Sequence, residues 1–218
     1  MLEKYRNDYA GEHILVKTTF QNGKKTEQRE WMENPIINQH VSGRAAVMSG
    51  DIDLSQFNLK HLKNHRGGLL GTKRLQTYGT GNSNEYLNVD FYVTTDREQI
   101  TNVKDYAKDN IVYSSTSVCL NNPGLFYIIP YQPGLDDVSH AVYLAAFDGH
   151  QEIFLLGYNN DTPSAHPDWQ KNVNRVIETY KNVTFYAVGV EINIPAIWRR
   201  NVNVKTMTYR DFISYCDV

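Results

Sequence analysis

The sequence predicts an α/β domain built on a mostly parallel, doubly wound sheet, and three observations carry that expectation. Asp137 to Asp161, DVSHAVYLAAFDGHQEIFLLGYNND, reads as a helix, a turn at Gly149 and a buried strand that ends in a polar loop. Val138, Ala141, Val142, Ala145 and Ala146 recur at helical spacing, whereas Ile153 to Leu156 form the short apolar run of a strand covered on both faces. Strand-like runs alternate with helical patterns from Arg44 onward, which suits crossover units rather than a sandwich. No internal repeat or flexible linker divides the 218 residues, a length that one large domain can fill.

Taken in order, His13 to Phe20 and Lys25 to Trp31 flank Gln21-Asn22-Gly23-Lys24, where Asn-Gly supplies the positive φ of a tight hairpin turn. Residues 1–43 are therefore expected to be a β-hairpin extension and 44–218 the main domain. The hairpin offers an edge for pairing into a homo-oligomer, or one that its own charges protect. RAAVMSG, Arg44 to Gly50, is the first short strand of the domain, and LSQFNLKHL after Asp51 and Asp53 starts a helix. Gly67 to Leu70, Val89 to Thr95, Asn110 to Val118 and Gly124 to Pro130 are further strand candidates, with Pro123 and Pro130 limiting the last two. A helix over 138–148, a strand over Glu152 to Tyr158, a helix near Pro167 to Lys181 and a strand over Val183 to Gly189 follow. VKTMTYRDFISYC adds an edge segment and a short terminal helix.

Composition narrows the classes. With 24 acidic and 22 basic residues the formal charge is -2, so affinity for nucleic acid would have to come from a local patch. Fifteen tyrosines within apolar runs argue against a disordered chain. Cys119 and Cys216 lack metal-ligand spacing and read as separate thiols, so neither a disulfide framework nor a cysteine zinc site is expected. There is no apolar signal segment, and no run approaches the roughly 18 apolar residues of a membrane helix, so a soluble cytoplasmic protein is expected.

The chemistry gathers at the predicted strand ends. Gly50 and Asp51 follow the first strand, where a small residue permits close backbone approach and a helix start attracts phosphate; a capped strand-to-helix turn gives the same pattern. Neither a full dinucleotide fingerprint nor a P-loop lysine motif is present. Lys73 and Arg74 lie among glycines and hydroxyls and can flank a diphosphate, or decorate a solvated turn. Asp96 follows VDFYVTT, placed to meet a ribose, a sugar hydroxyl or a divalent ion, or to cap the next helix. Ser139 and His140 open the small-residue helix as ligand contacts, unless Asp136 or Asp137 caps it and His140 only packs. Asn159 and Asp161 follow the strongest strand, with His166 beyond Pro163; Asp161 or His166 can take a proton from an acceptor hydroxyl, although the same residues suit a surface turn. No metal site is expected.

RAAVMSGD, VDFYVTTD and SHAVYLAAFDGHQEIFLLGYNND together resemble segments of Rossmann-like glycosyltransferases, most of all the bacterial sialyltransferases, over roughly Arg44 to Gly189. The resemblance implies a nucleotide sugar at the carboxyl side of the sheet, with Gly50 and Asp51 in the nucleotide loop, Ser139 and His140 near the donor, and His166 in general place of a catalytic histidine. Met48-Ser49-Gly50-Asp51 departs from the Gly-Asn-Gly-Pro-like loop of that family, and His140 stands where glycine is common. The expected function is transfer of a sugar from a nucleotide-sugar donor to a hydroxyl acceptor, modified DNA among the candidates, with no cofactor besides that substrate. A catalytically inactive nucleotide-binding or protein-interaction domain and a nucleotide-sugar phosphohydrolase are the alternatives.

Overall fold

The computed structural model describes residues 12–21, 24–33, 43–49, 52, 62, 75–131, 134–159, 167–189 and 193–216. Two strands, β1 (Glu12–Gln21) and β2 (Lys24–Glu33), pair antiparallel in a two-stranded sheet of their own. They do not extend the main sheet; β1 lies against its edge strand Tyr127–Ile128 and the helix Thr116–Asn121. The Asn22-Gly23 link expected to make the turn lies outside the described residues.

The main sheet contains β3 (Arg44–Met48), β4 (Gln76–Gly79), β5 (Phe91–Val93), β6 (Ile111–Ser114), β7 (Tyr127–Ile128), β8 (Glu152–Leu156), β9 (Thr184–Val188) and β10 (Val204–Met207). Their order is β10-β9-β8-β3-β4-β5-β6-β7, and every pairing is parallel. The chain winds outward from β3 through β7, returns to the other side of β3 and winds outward again through β10. This is an α/β domain consistent with a Rossmann-like fold, with helices α1 (Ser83–Tyr86), α2 (Arg97–Asn102), α3 (Thr116–Asn121), α4 (Asp137–Phe147), α5 (Trp169–Thr179) and α6 (Tyr209–Cys216).

Alternation along the strands divides the interior into two layers. Ala45, Val47, Tyr78, Phe91, Val93, Tyr113, Ile153, Leu155, Phe185 and Ala187 face one side, where they meet α4 and α5. Ala46, Met48, Tyr92, Val112, Phe154, Leu156, Tyr186 and Val188 face the other, against Ile100 of α2, Cys119 of α3 and Phe212 of α6. A sheet buried on both faces needs no polar alternation, which explains the continuous apolar runs.

α4 packs across β8, β3, β4 and β5 and alongside α5. Its alanines allow that close approach, and Gly149 at φ +91° ends it in the left-handed conformation, with its amide on the Ala146 carbonyl at 3.2 Å. α5 buries Trp169, Val173, Val176 and Ile177 at helical spacing. Its end is closed from a distance: the Asn203 amide donates to the carbonyls of Ile177, Tyr180 and Val183 at 3.2, 3.2 and 3.0 Å.

Two expectations are corrected in extent. Asn110 to Val118 is not one strand: β6 stops at Ser114, whose hydroxyl turns back to the Thr94 carbonyl at 2.6 Å, and Thr116 begins α3. Residues of high strand propensity enter a helix because the sheet ends there. Gly124 to Pro130 pairs only over Tyr127 and Ile128. The neighbour of β3 is Gln76–Gly79, which the sequence reading left next to a glycine-rich turn; the expected strand Gly67 to Leu70 lies outside the described residues.

Candidate functional site

The strand order reverses between β3 and β8, and at such a point successive helices leave to opposite faces, opening a crevice at the carboxyl ends of the strands. The two strand exits are joined to each other. The Ser49 amide donates to the Leu156 carbonyl at 3.1 Å, and the buried Ser49 hydroxyl donates to the Gly157 carbonyl at 2.9 Å. Gly157 has φ +76°, and a Cβ there would lie 2.6 Å from Ser49 Oγ and 2.9 Å from Ile52 Cγ1. The floor of the crevice therefore requires glycine.

The amino terminus of α4 forms one wall. Asp136 caps it, accepting from the Ser139 amide at 3.1 Å, the Ser139 hydroxyl at 2.8 Å and the Asn172 amide group at 2.8 Å. Asp137 fastens the helix to the exit of β5: its carboxylate accepts from the Thr94 hydroxyl and the Thr95 amide, each at 2.8 Å, from the Thr95 hydroxyl, and from the Asp96 amide at 3.4 Å. The Tyr158 hydroxyl, just past β8, donates to the Val138 carbonyl at 2.8 Å. One helical turn thus holds together the exits of strands on both sides of the reversal. Asp137→Ala would leave two hydroxyls and two amides without their acceptor, with an expected loss of about 1–3 kcal/mol, read as a lowered urea midpoint with unchanged m-value.

His140 sits one turn into α4 and is 5% exposed, with neither ring nitrogen hydrogen-bonded. Burial drives its pKa down to about 4 against the opposing pull of Asp137 and Asp136, so the imidazole is neutral. Helical side chains lean toward the helix amino terminus, and His140 shares the face of Asp137, three residues before it. Tyr143, three residues on, donates to the Pro130 carbonyl at 3.2 Å, which places this flank of α4 beside the exit of β7.

Of the residues expected to bind donor, Ser139 is fully committed to capping and to the Trp169 carbonyl at 3.3 Å. Asp96 is a helix cap, accepting from the amides of Glu98 and Gln99 at 2.9 Å. These are the structural readings that the sequence had left open. His140 and Asn159, the latter half-buried just past Tyr158, remain at the crevice end of the sheet. Gly50, Asp51, Lys73, Arg74, Asp161 and His166 lie outside the described residues. Sequence reasoning missed the Asp137 clasp and the joining of Ser49 to Gly157. Paired aspartates before a serine at the third helical position signalled a cap, but no local signal names Thr94 and Thr95 as partners.

The electrostatics differ from a plain helix amino terminus. Two carboxylates already occupy the positive pole of α4, and their acceptor sites are filled by protein donors. The positive pole of this helix is therefore already neutralised by the protein's own side chains. Among the described residues no group of histidine, cysteine and acidic side chains has the arrangement of a metal site, and no helix is long and apolar enough to cross a membrane. Burial raises the Cys119 thiol to about 12, which makes it an inert core residue rather than a nucleophile.

Fold and site define a parallel α/β domain whose strand order reverses between β3 and β8. Comparison with protein-family models, with curated proteins and with solved structures gives no match.

Proposed function

We propose that this protein binds a nucleotide sugar in the crevice between the exits of β3 and β8 and transfers its sugar to a hydroxyl acceptor. The reversal of strand order is the observation that carries the ligand site, because parallel sheets bind ligands at that point. The donor's orientation follows from the charge already in place. The sugar lies toward α4, where the carboxylates of Asp136 and Asp137 disfavour phosphate. The diphosphate lies away from α4, toward the exit of β3. Sugar transfer itself rests on the resemblance of three segments to Rossmann-like glycosyltransferases, with Asp161 or His166 as the base that accepts the acceptor's proton. Modified DNA remains among the hydroxyl acceptors.

A second reading, a nucleotide-binding domain without turnover, is favoured by one observation. Among the described residues near these strand exits none offers an accessible strong base: the capping and clasping carboxylates are engaged by protein donors, and burial makes His140 weakly basic, with its pKa down to about 4. The test is incubation with a panel of nucleotide sugars and nucleotides, followed by mass spectrometry of retained ligand and released product. Retention of one nucleotide sugar with slow release of its nucleotide supports the transferase. Retention without release, unchanged by any acceptor, supports the binding domain, and no retention of any ligand refutes both. His166→Ala is expected to lower turnover by about 10²–10⁴-fold while leaving donor retention intact; unchanged turnover removes His166 from the mechanism.

A further inference from the structure

Far from the crevice, at the carboxyl end of α4, three buried titratable side chains meet. The Tyr78 hydroxyl on β4 lies 2.6 Å from Asp148 Oδ2 and 2.9 Å from His150 Nε2, and all three residues are fully buried. Asp148 ends α4, where the negative pole of the helix and the loss of water both disfavour a carboxylate charge. Among the described residues the only hydrogen bond to its carboxyl group comes from Tyr78, and Oδ1 has no donor. The other titratable groups facing Tyr78 are Tyr113 on β6 and Asp90 before β5, and neither is a cation.

We propose that Tyr78, Asp148 and His150 form a proton-holding cluster that makes the seating of α4 on the sheet sensitive to pH. In the protonated form the Asp148 carboxyl donates to the Tyr78 oxygen, and Tyr78 donates to Nε2 of His150, whose proton is then on Nδ1. In the ionised form one proton has left for solvent and the chain runs the other way: Nε2–H of His150 donates to Tyr78, and Tyr78 donates to Oδ2. Both forms use the same two short contacts, but only the second leaves a charged oxygen facing apolar walls. Burial pushes Asp148 up to about 7, partly offset by the Tyr78 hydrogen bond, and raises Tyr78 far enough that the phenol keeps its proton throughout.

The direction of the linkage follows. Folded Asp148 holds its proton more tightly than an unfolded aspartate, whose pKa is about 3.9. Its stabilisation is complete below that value and is lost as pH rises through about 7. The test compares Tm of the wild type and Asp148→Asn between about pH 5 and 9, since the difference cancels every other titration. The wild type's Tm relative to the variant is expected to fall by several degrees with rising pH, levelling off above neutrality; a constant difference overturns the proposal. Infrared spectroscopy of the wild type gives a second readout that needs no folded Asp148→Asn. A protonated-carboxyl band is expected on the acid side of neutrality, lost on the alkaline side and shifted in Tyr78→Phe. Absence of that band at about pH 5.5, or a band indifferent to Tyr78→Phe, overturns it.

Discussion

Replacing His140 with leucine is expected to stabilise the protein, by roughly 1–3 kcal/mol at acid pH, and to weaken retention of the ligand. The stability gain follows from burial: both ring nitrogens are without partners, and an apolar side chain of similar size removes that penalty without opening a cavity. The pH dependence has a definite sign. Folded His140 titrates at about 4, whereas an unfolded histidine titrates at about 6.5. The stability associated with keeping it neutral is present above about 6.5 and lost as pH falls through about 4. Asp148 works in the opposite sense over an overlapping range, so in the wild type the two slopes largely offset between about pH 4 and 6.5. His140→Leu should expose the Asp148 slope, with stability falling as pH rises. Chemical denaturation across that range checks it; a variant less stable than wild type at every pH shows that the imidazole has a partner. The same variant decides the site: higher stability with unaltered ligand retention makes His140 a packing residue only.

The second large effect is at the reversal of strand order. Gly157→Ala would force an L side chain into φ +76° while its methyl meets Ser49 Oγ and Ile52 Cγ1 well inside contact distance. The backbone penalty is about 1–2 kcal/mol, and repacking around the clash adds about 1–3 kcal/mol. Ser49→Gly removes the nearest obstacle but not the conformational penalty. Combined with Gly157→Ala it should restore part of the loss, and the double-mutant cycle measures how much of the defect is steric. If Gly157→Ala unfolds at the wild-type denaturant midpoint, the joining of the β3 and β8 exits is looser than its geometry. Ligand retention should fall in Gly157→Ala even where the protein remains folded, because the glycine forms the crevice floor.

Stabilisation and function pull in opposite directions along α4. Asp137 and Tyr158 bind its first turn to strand exits on both sides of the reversal, and that is the rigid part of the wall. His140, beside them, is the residue whose replacement by an apolar side chain should help the fold. The Tyr78, Asp148 and His150 cluster at the far end adds a proton-dependent contribution that does not touch the crevice.

Much of the fold was legible in local pattern. The small-residue helix at Asp137–Phe147 and the strands at Arg44–Met48, Glu152–Leu156 and Thr184–Val188 follow from periodicity and apolar runs alone, because buried parallel strands and a close-packed helix leave strong local signatures. The cap at Asp136 was readable for the same reason, since a cap is a contact between near neighbours. Short elements escaped: Gln76–Gly79 is four residues beside a glycine-rich turn, and its strand state comes from lying next to β3. What only folding decided are the pairings across distance. Ser49 finds Gly157 across 108 residues, Thr94 and Thr95 find Asp137 across more than 40, and Tyr78 meets Asp148 across 70. Each such partner is chosen by strand order and helix placement, which no local window encodes. The same side chains, an aspartate or a serine beside a glycine, serve equally as caps, clasps or ligands until topology selects one.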